Sequence, residues 1–487
     1  MANSSIKSAM QIVLGVLVLS MFVGCSGTSP IVIEPLPATY TQFIAQSQVE
    51  ASFATAIPSK MISNVVVVNP IATPASTVTP TLFKTMLPLI VSSPTATAIP
   101  QIYLPIGPGS SDVIPHQIVR ARDDRLYLFS MQQFSPLIRV FTTNLSGLPN
   151  AASDFSLKTT VSEVGLPISI DAVYDGQDTI HILVNTKDTG RLLDYPFDII
   201  SGAFRPVIQI ASDSHKIAGY YIGTSGVSGI FDQNGFLQLA YWTANDRIRY
   251  LSLMYDPASN RLIQQGSDII LDNNGSSNHP VVALSPLDNT LYVSWVNTSG
   301  ASTVVQLRKR APDGSWGGVS TVSNALVWHS VNAGVNIDQG PSMLVDFTGN
   351  PYLAYIQDFD NSGSYGRIHI ISQSVNGWLD QALPIYSHDP ALAVNSRGEV
   401  YLIGHGHPNN QSCKSMDDMC VTFRNSAGSW TSPKLFAAHD PGTSFDGSPS
   451  VKWSVVGFNR PETIEFVFFQ IPSGDYNNPT LYYGRLP

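Results

Sequence analysis

Seven copies of one short pattern dominate the chain after about residue 112. Each copy is a turn followed by a strand-like alternation of apolar and polar residues. They are 124–129 (DRLYLF), 178–184 (DTIHILV), 234–242 (NGFLQLAYW), 288–295 (DNTLYVSW), 349–356 (GNPYLAYI), 397–403 (RGEVYLI) and 461–468 (PETIEFVF). The first strand residue of each is Leu126, Ile180, Leu237, Leu291, Tyr352, Val400 and Ile464, so the copies recur every 48 to 64 residues. A repeat near 50 residues built only from strands stacks radially, one sheet per repeat, and predicts an all-β, seven-bladed β-propeller; six blades is the alternative count.

Each unit reads as four strands. In the fifth they fall at 341–347, 351–357, 367–372 and 382–386, with turn residues between them. Several inner strands begin beside a proline: His279-Pro280, Gly340-Pro341, Asp389-Pro390 and Ser448-Pro449. Proline fits there because the first residue of a strand can spare its N–H. The last unit ends at 481–486 (LYYGRL), one strand short. The stretch 101–106 (QIYLPI) precedes the first unit, has strand character, and is predicted to complete the last blade and close its open edge.

The rest of the 487 residues reads differently. Lys7 followed by an apolar run at 10–23 has the make-up of an export signal, too short to span a bilayer comfortably. Residues 25–100 form a Pro-, Ser- and Thr-rich stretch with almost no charge; 12 of the 34 prolines lie in 26–108. Such a segment buries too little apolar surface to fold and is expected to be an extended spacer. The expected organisation is therefore signal at 1–24, spacer at 25–100 and propeller at 101–487. The apolar stretch 62–68 (ISNVVVV) has no assigned role.

Composition narrows the function classes. Charged residues make up 13% of the chain and the net charge is −9, with no basic run. Nucleic-acid binding needs clustered Lys and Arg on phosphates, so it is excluded. No cofactor-binding pattern is present, and the chain is expected to be monomeric. There are three cysteines, Cys25, Cys413 and Cys420. Cys413 and Cys420 (CKSMDDMC) read as a disulfide across a small loop, with two free thiols as the alternative; zinc is excluded because two further ligands are missing.

Two resemblances add to this. The string Phe22-Val23-Gly24-Cys25-Ser26 resembles the lipobox of bacterial lipoproteins. That resemblance implies a lipid on Cys25, which would also account for the odd cysteine, and a membrane or cell-surface location. Phe22 stands where the box usually has Leu, so an ordinary cleaved signal is the alternative. Between third and fourth strands, 312–316 (PDGSW), 375–378 (VNGW) and 427–430 (AGSW) resemble degraded Asp boxes of the sialidase-like, BNR-repeat propellers. Only Asp313 keeps the acid, and the Gly-to-Trp spacing is shortened. Gly would take the bend, and Trp316, Trp378 and Trp430 would pack between blades. A sialidase would also need an arginine triad, a Tyr–Glu pair and an acidic acid/base. The Arg-Ile-Pro signature is missing, and Arg120, Arg122 and Arg125 read instead as solvated turn charges.

Propeller topology supplies a candidate site. Loops entering the inner strands and loops leaving the second strands open on one face. The entries supply His279, Asp338, His388, Asp389 and Asp446; the exits supply Asn185, Asp246, Arg247, Asn297, Asp358, His405 and His407. His279, Asp246, Arg247, His388, His405 and His407 are the candidate ligand-binding residues. His405 and His407, two apart on a strand, would share a face; metal binding, ligand hydrogen bonding and plain solvation are the three readings, and no metal is assigned. The calcium-like stretch 358–363 (DFDNSG) has His369 where a glutamate is needed and reads as a hairpin tip.

Two functions follow. One is a surface-tethered propeller that binds a ligand, glycan or protein. The other is a glycan-active hydrolase or lyase using a carboxylate pair, Asp389 with Asp358 or Asp338.

Overall fold

The computed structural model describes residues 102–487, apart from 109–115, 132–136, 163–166, 187–188, 216–225, 273–274, 300–302, 325–326, 328–339, 358–365, 388–389, 411, 416–417, 426–427, 439–442, 451–461 and 473–479. Every described strand belongs to one of seven antiparallel sheets. From inner to outer strand, blade 1 is Gln117–Arg120, Leu126–Met131, Leu137–Thr143 and Phe155–Ser162; blade 2 is Pro167–Tyr174, Thr179–Thr186, Leu192–Asp198 and Ile208–Ala211. Blade 3 is Val227–Phe231, Phe236–Trp242, Ile248–Asp256 and Arg261–Gln264; blade 4 is Ser277–Leu284, Leu291–Asn297, Val304–Arg310 and Ser320–Thr321. Blade 5 is Ser342–Val345, Pro351–Gln357, Gly366–Ser374 and Gly377–Ser387; blade 6 is Ala391–Val394, Val400–His405, Met419–Arg424 and Lys434–Ala437. Blade 7 is Thr443–Ser450, Ile464–Pro472 and Thr480–Leu486, and its outer strand is Ile102–Pro108 from the other end of the chain.

The chain is thus a seven-bladed β-propeller. The inner strands of blades 1 to 6 touch in chain order, blade 6 meets blade 7, and blade 7 meets blade 1. All seven repeat residues, from Leu126 to Ile464, lie in second strands. The closing strand sits where the sequence predicts it, with Ile102 opposite Arg485 and Leu104 opposite Tyr483.

Packing differs from a simple greasy/wet alternation. The second strands Leu126–Met131, Thr179–Thr186, Leu291–Asn297 and Val400–His405 are buried at every position. A blade lies between two other blades, so both faces of its middle strands are covered. Polar residues of the alternation are therefore buried between blades and must be paired. Along the inner strands this becomes a recurring device: Asp171 Oδ2 accepts from the Gly229 amide (2.8 Å), Ser228 Oγ from the Val282 amide (3.1 Å) and Ser342 Oγ from the Leu392 amide (3.0 Å), each time in the following blade.

The Trp turns do pack between blades. Trp316 meets Tyr250 of blade 3 edge-on at 4.9 Å, and Trp378 meets Tyr292 of blade 4 at 6.3 Å. In the first of these turns Gly314 has φ +89°, and Asp313 Oδ1 accepts from the amide and hydroxyl of Ser315 at 2.9 and 2.6 Å.

The expectation for Arg120 is overturned. Arg120 is no solvated turn charge: its guanidinium is 7% exposed and grips Glu465 of blade 7 with both arms, at 2.7 and 2.5 Å. Arg120 ends the inner strand of blade 1, where ring closure places it against the start of the second strand of blade 7. Arg122 is about half exposed and pairs with Asp178 at the turn of blade 2.

Candidate functional site

The described groups at the entry and exit loops converge most densely around blade 3. Its second strand ends at Trp242, and a tight turn follows: Asp246 N donates to Thr243 O (3.0 Å), and Thr243 N to Arg247 O (2.9 Å). Asp246 adopts φ +54°, a left-handed conformation that Asp tolerates better than most residues. The turn aims the Asp246 carboxylate back at Trp242, whose Nε1 donates to Asp246 Oδ1 at 3.1 Å.

The entry loop zips onto this exit turn. His215 N donates to Trp242 O (2.9 Å), Ala244 N donates to Asp213 O (2.7 Å), and Ser214 bridges Thr243. The zipper lays the His215 ring flat on Trp242, with ring centres 3.5 Å apart and planes 7° apart. His215 Nδ1 lies 3.2 Å from Asp246 Oδ1, a close electrostatic contact lacking hydrogen-bond alignment. Burial pushes the His215 imidazole below its ordinary pKa, more than Asp246 raises it, so the ring is neutral at pH 7.

Around this stack lie two arginine–carboxylate groups. Arg247 Nε is 3.7 Å from Asp272 Oδ2, while the buried Asp272 carboxylate accepts the amides of Ile248 (2.9 Å) and Gly275 (3.0 Å). Arg249 reaches Asp213 at 2.9 Å and Asp268 at 3.5 Å, and the Tyr241 hydroxyl donates to Asp213 at 2.9 Å. His279 approaches from blade 4, its ring centre 6.0 Å from Trp242. The His279-Pro280 step explains its position. Proline cannot donate to the ladder, the register slips between Asn278 and Val281, and His279 takes φ +50° in the bulge.

The predicted site residues thus divide. Asp246, Arg247 and His279 fall in this cluster, though His279 is 1% exposed and does not reach the surface. Asn185 and Asn297 are buried strand-end residues, bonded to Ser214 (2.5 Å) and Ser277 (3.1 Å). Asp446 lies inside the inner strand of blade 7, opposite Gln470, and not in an entry loop. Asp338, Asp358, His388 and Asp389 fall outside the described residues, and so does Cys25.

His405 and His407 do not form a facing pair. The strand stops at His405, which is fully buried, so the period-two alternation never reaches His407. His407 instead stacks on Tyr386, with ring centres 5.3 Å and planes 24° apart. Cys413 and Cys420 are joined by a disulfide beside it. Among the described residues, no three His, Cys, Asp or Glu side chains are grouped to hold a metal ion, and no helix is long and apolar enough to cross a membrane.

Sequence reading missed His215, Asp213, Asp272 and Trp242. Trp242 carried one usable signal: it ends the longest of the seven repeat copies, at the point where the chain leaves the sheet for the mouth.

The blade-3 cluster combines an imidazole laid on a largely buried indole, a half-exposed carboxylate acceptor and a guanidinium donor. Such a set suits a ligand with an apolar face and a rim of hydroxyls.

No family model and no curated protein matches the chain. Among solved structures, the BP39L lectin from Burkholderia pseudomallei aligns at TM-score 0.53 and 10% identity, covering 78% of this chain and 96% of the lectin. The polysaccharide lyase Uly1 aligns at TM-score 0.47 and 11% identity, covering 80% of this chain and 99% of the lyase. Identities this low speak to the fold alone.

Proposed function

We propose that this protein is an exported, lipid-anchored propeller that binds a saccharide at the blade-3 mouth. The observation that carries the reading is the flat His215–Trp242 stack rimmed by Asp246 and Arg247. A pyranose offers a C–H face to an aromatic ring and hydroxyls that both donate and accept. A neutral imidazole on indole, with one carboxylate and one guanidinium beside it, is complementary on each count. A lectin with the same fold makes the architecture suitable for this work, in keeping with the principle that function resides in the site.

The test is a glycan array followed by calorimetry on the full chain. Trp242→Ala is expected to weaken the selected glycan by roughly 10- to 100-fold, about 1.4–2.8 kcal/mol. Asp246→Asn, which tolerates the left-handed turn and removes the charge, is expected to weaken it by about 10-fold, about 1.4 kcal/mol, with the melting temperature little changed. Binding that ignores both changes refutes the assignment. Turnover of chromogenic glycosides that disappears in Asp389→Asn would favour the enzyme reading instead.

Anchoring rests on the Gly24-Cys25 motif at the end of the apolar run. Expressed in a bacterium, the wild type is expected to take up an alkyne-labelled fatty acid and fractionate with membranes. Cys25→Ser is expected to abolish the label and release the protein. Equal labelling of the two removes the anchor from the proposal.

A further inference from the structure

We infer that the propeller carries a second saccharide site, on blade 6, built from Tyr386 and His407. The inference rests on the reading of blade 3 as a glycan site and extends it.

The two places are built alike, each from an aromatic ring at a strand end and an imidazole on a loop. In blade 3 a ring from the entry loop, His215, lies on Trp242, the last residue of the second strand. At blade 6 the corresponding rings are Tyr386, near the end of the outer strand of blade 5, Gly377–Ser387, and His407, just past the second strand Val400–His405. The imidazole has changed sides and the rings are looser, 5.3 Å and 24° apart against 3.5 Å and 7°, yet in both places a ring at a strand end meets an imidazole on the neighbouring loop. Both blade-6 rings are only half-buried.

The second observation is how firmly this exit loop is held. The Cys413–Cys420 disulfide staples it. Gly406 allows its backbone to pass Ser415, because a Cβ there would sit 1.9 Å from the Ser415 carbonyl oxygen. Asn410, 2% exposed, clamps the loop to the residue that bears the ring: its Oδ1 accepts the Tyr386 amide (2.9 Å) and its Nδ2 donates to the Tyr386 carbonyl (3.0 Å). A pair of rings fixed in this way loses little freedom when a ligand arrives. His407 Nδ1 accepts the Asn409 amide at 3.0 Å, so the proton of the neutral imidazole sits on Nε2 and the ring is fixed in orientation. Burial lowers the His407 pKa, which keeps that neutral form at pH 7.

Blades 3 and 6 are three blades apart around a ring of seven, so one monosaccharide cannot fill both sites. A polymer or a densely presented sugar can, and would gain by avidity.

The test titrates the full chain with the methyl glycosides of galactose, glucose, mannose and N-acetylglucosamine. The wild type is expected to bind the best of these with a stoichiometry of two. Tyr386→Ala/His407→Ala is expected to leave one site, Trp242→Ala to leave the other, and Tyr386→Phe to keep both. If Tyr386→Ala does not fold, His407→Ala alone, past the end of the strand, is expected to lower the blade-6 affinity. Cys413→Ser/Cys420→Ser is expected to weaken the blade-6 site only. On a polymer carrying the same sugar, loss of either site is expected to reduce apparent affinity by roughly 10²–10⁴-fold. A wild-type stoichiometry of one that Trp242→Ala abolishes and the blade-6 changes leave intact overturns the second site and spares the first. A wild type that binds none of the glycosides overturns both.

Discussion

A chain beginning at residue 109 is expected to lose the cooperative unfolding transition that a chain beginning at residue 101 retains. The missing piece is Ile102–Pro108, the outer strand of blade 7. Its backbone pairs with Thr480–Leu486 from Ile102 opposite Arg485 to Pro108 opposite Thr480, with one irregularity after Pro105. Each ladder hydrogen bond contributes about 1 kcal/mol net. Ile102, Leu104 and Ile106 also pack on the cluster formed by Leu126, Leu128, Val467 and Tyr483, where each half-buried aliphatic side chain adds about 1 kcal/mol. Together these are on the order of the whole stability of an ordinary domain, 5–15 kcal/mol. Removing the strand also bares an edge that can recruit another chain. The expected outcome is a sloping, non-cooperative denaturation curve and association in size-exclusion chromatography. A sharp transition from a monomer lacking residues 1–108 would show that blade 7 closes without this strand.

Glu465→Ala is expected to destabilise the propeller by about 3–5 kcal/mol, the range for removing one partner of a buried ion pair. Glu465 takes both arms of Arg120 and also accepts the Tyr483 hydroxyl at 2.6 Å. The two charged side chains are 7% and 10% exposed, so water does not replace the lost partner. Arg120 would keep the carbonyls of Asp124 (2.6 Å) and Gly147 (3.0 Å) and the more exposed Asp124 carboxylate (3.1 Å), but its buried positive charge would lose the partner that takes both arms. The same pair spans the closure of blade 7 on blade 1, so its loss loosens the ring at its seam. Arg120→Met/Glu465→Leu removes both charges and is expected to recover most of the loss. Urea denaturation reads both results. A Glu465→Ala variant within 1 kcal/mol of wild type would mean that the pair does not hold the seam.

Much of the fold was legible because its signals are local. A turn followed by Leu126-Tyr127-Leu128-Phe129 makes a strand wherever it occurs, and seven such signals at a steady spacing make seven blades. The closing role of Ile102–Pro108 followed from counting: blade 7 lacked a strand, and one stood unused before blade 1. Burial was less legible. His181, read as one position of an alternating strand, is fully buried with Asp194 at 2.7 Å and lies edge-on to Tyr255 of blade 3 at 4.4 Å. Arg120 sits in a turn-rich stretch that looks solvated until blade 7 is placed beside it.

The candidate site was legible by loop and not by partner. Asp246 and Arg247 were placed at the mouth because they follow a second strand, and that inference needs only chain order. Nothing in chain order says that His215 will lie on Trp242, since that stack depends on the zipper between two separate loops. The His405-Gly406-His407 pairing failed for a related reason: alternation holds only while the strand lasts, and this strand ends at His405.

By itself, then, the order of residues determined the kind of strand and the segment that closes the ring, and favoured seven blades over six, because hydrogen-bonded hairpins form between neighbours in sequence. The tertiary structure alone decided which side chains meet between blades and at the mouth. Those contacts are made where separately folded sheets come to rest against each other, as with Arg120 and Glu465, which are 345 residues apart.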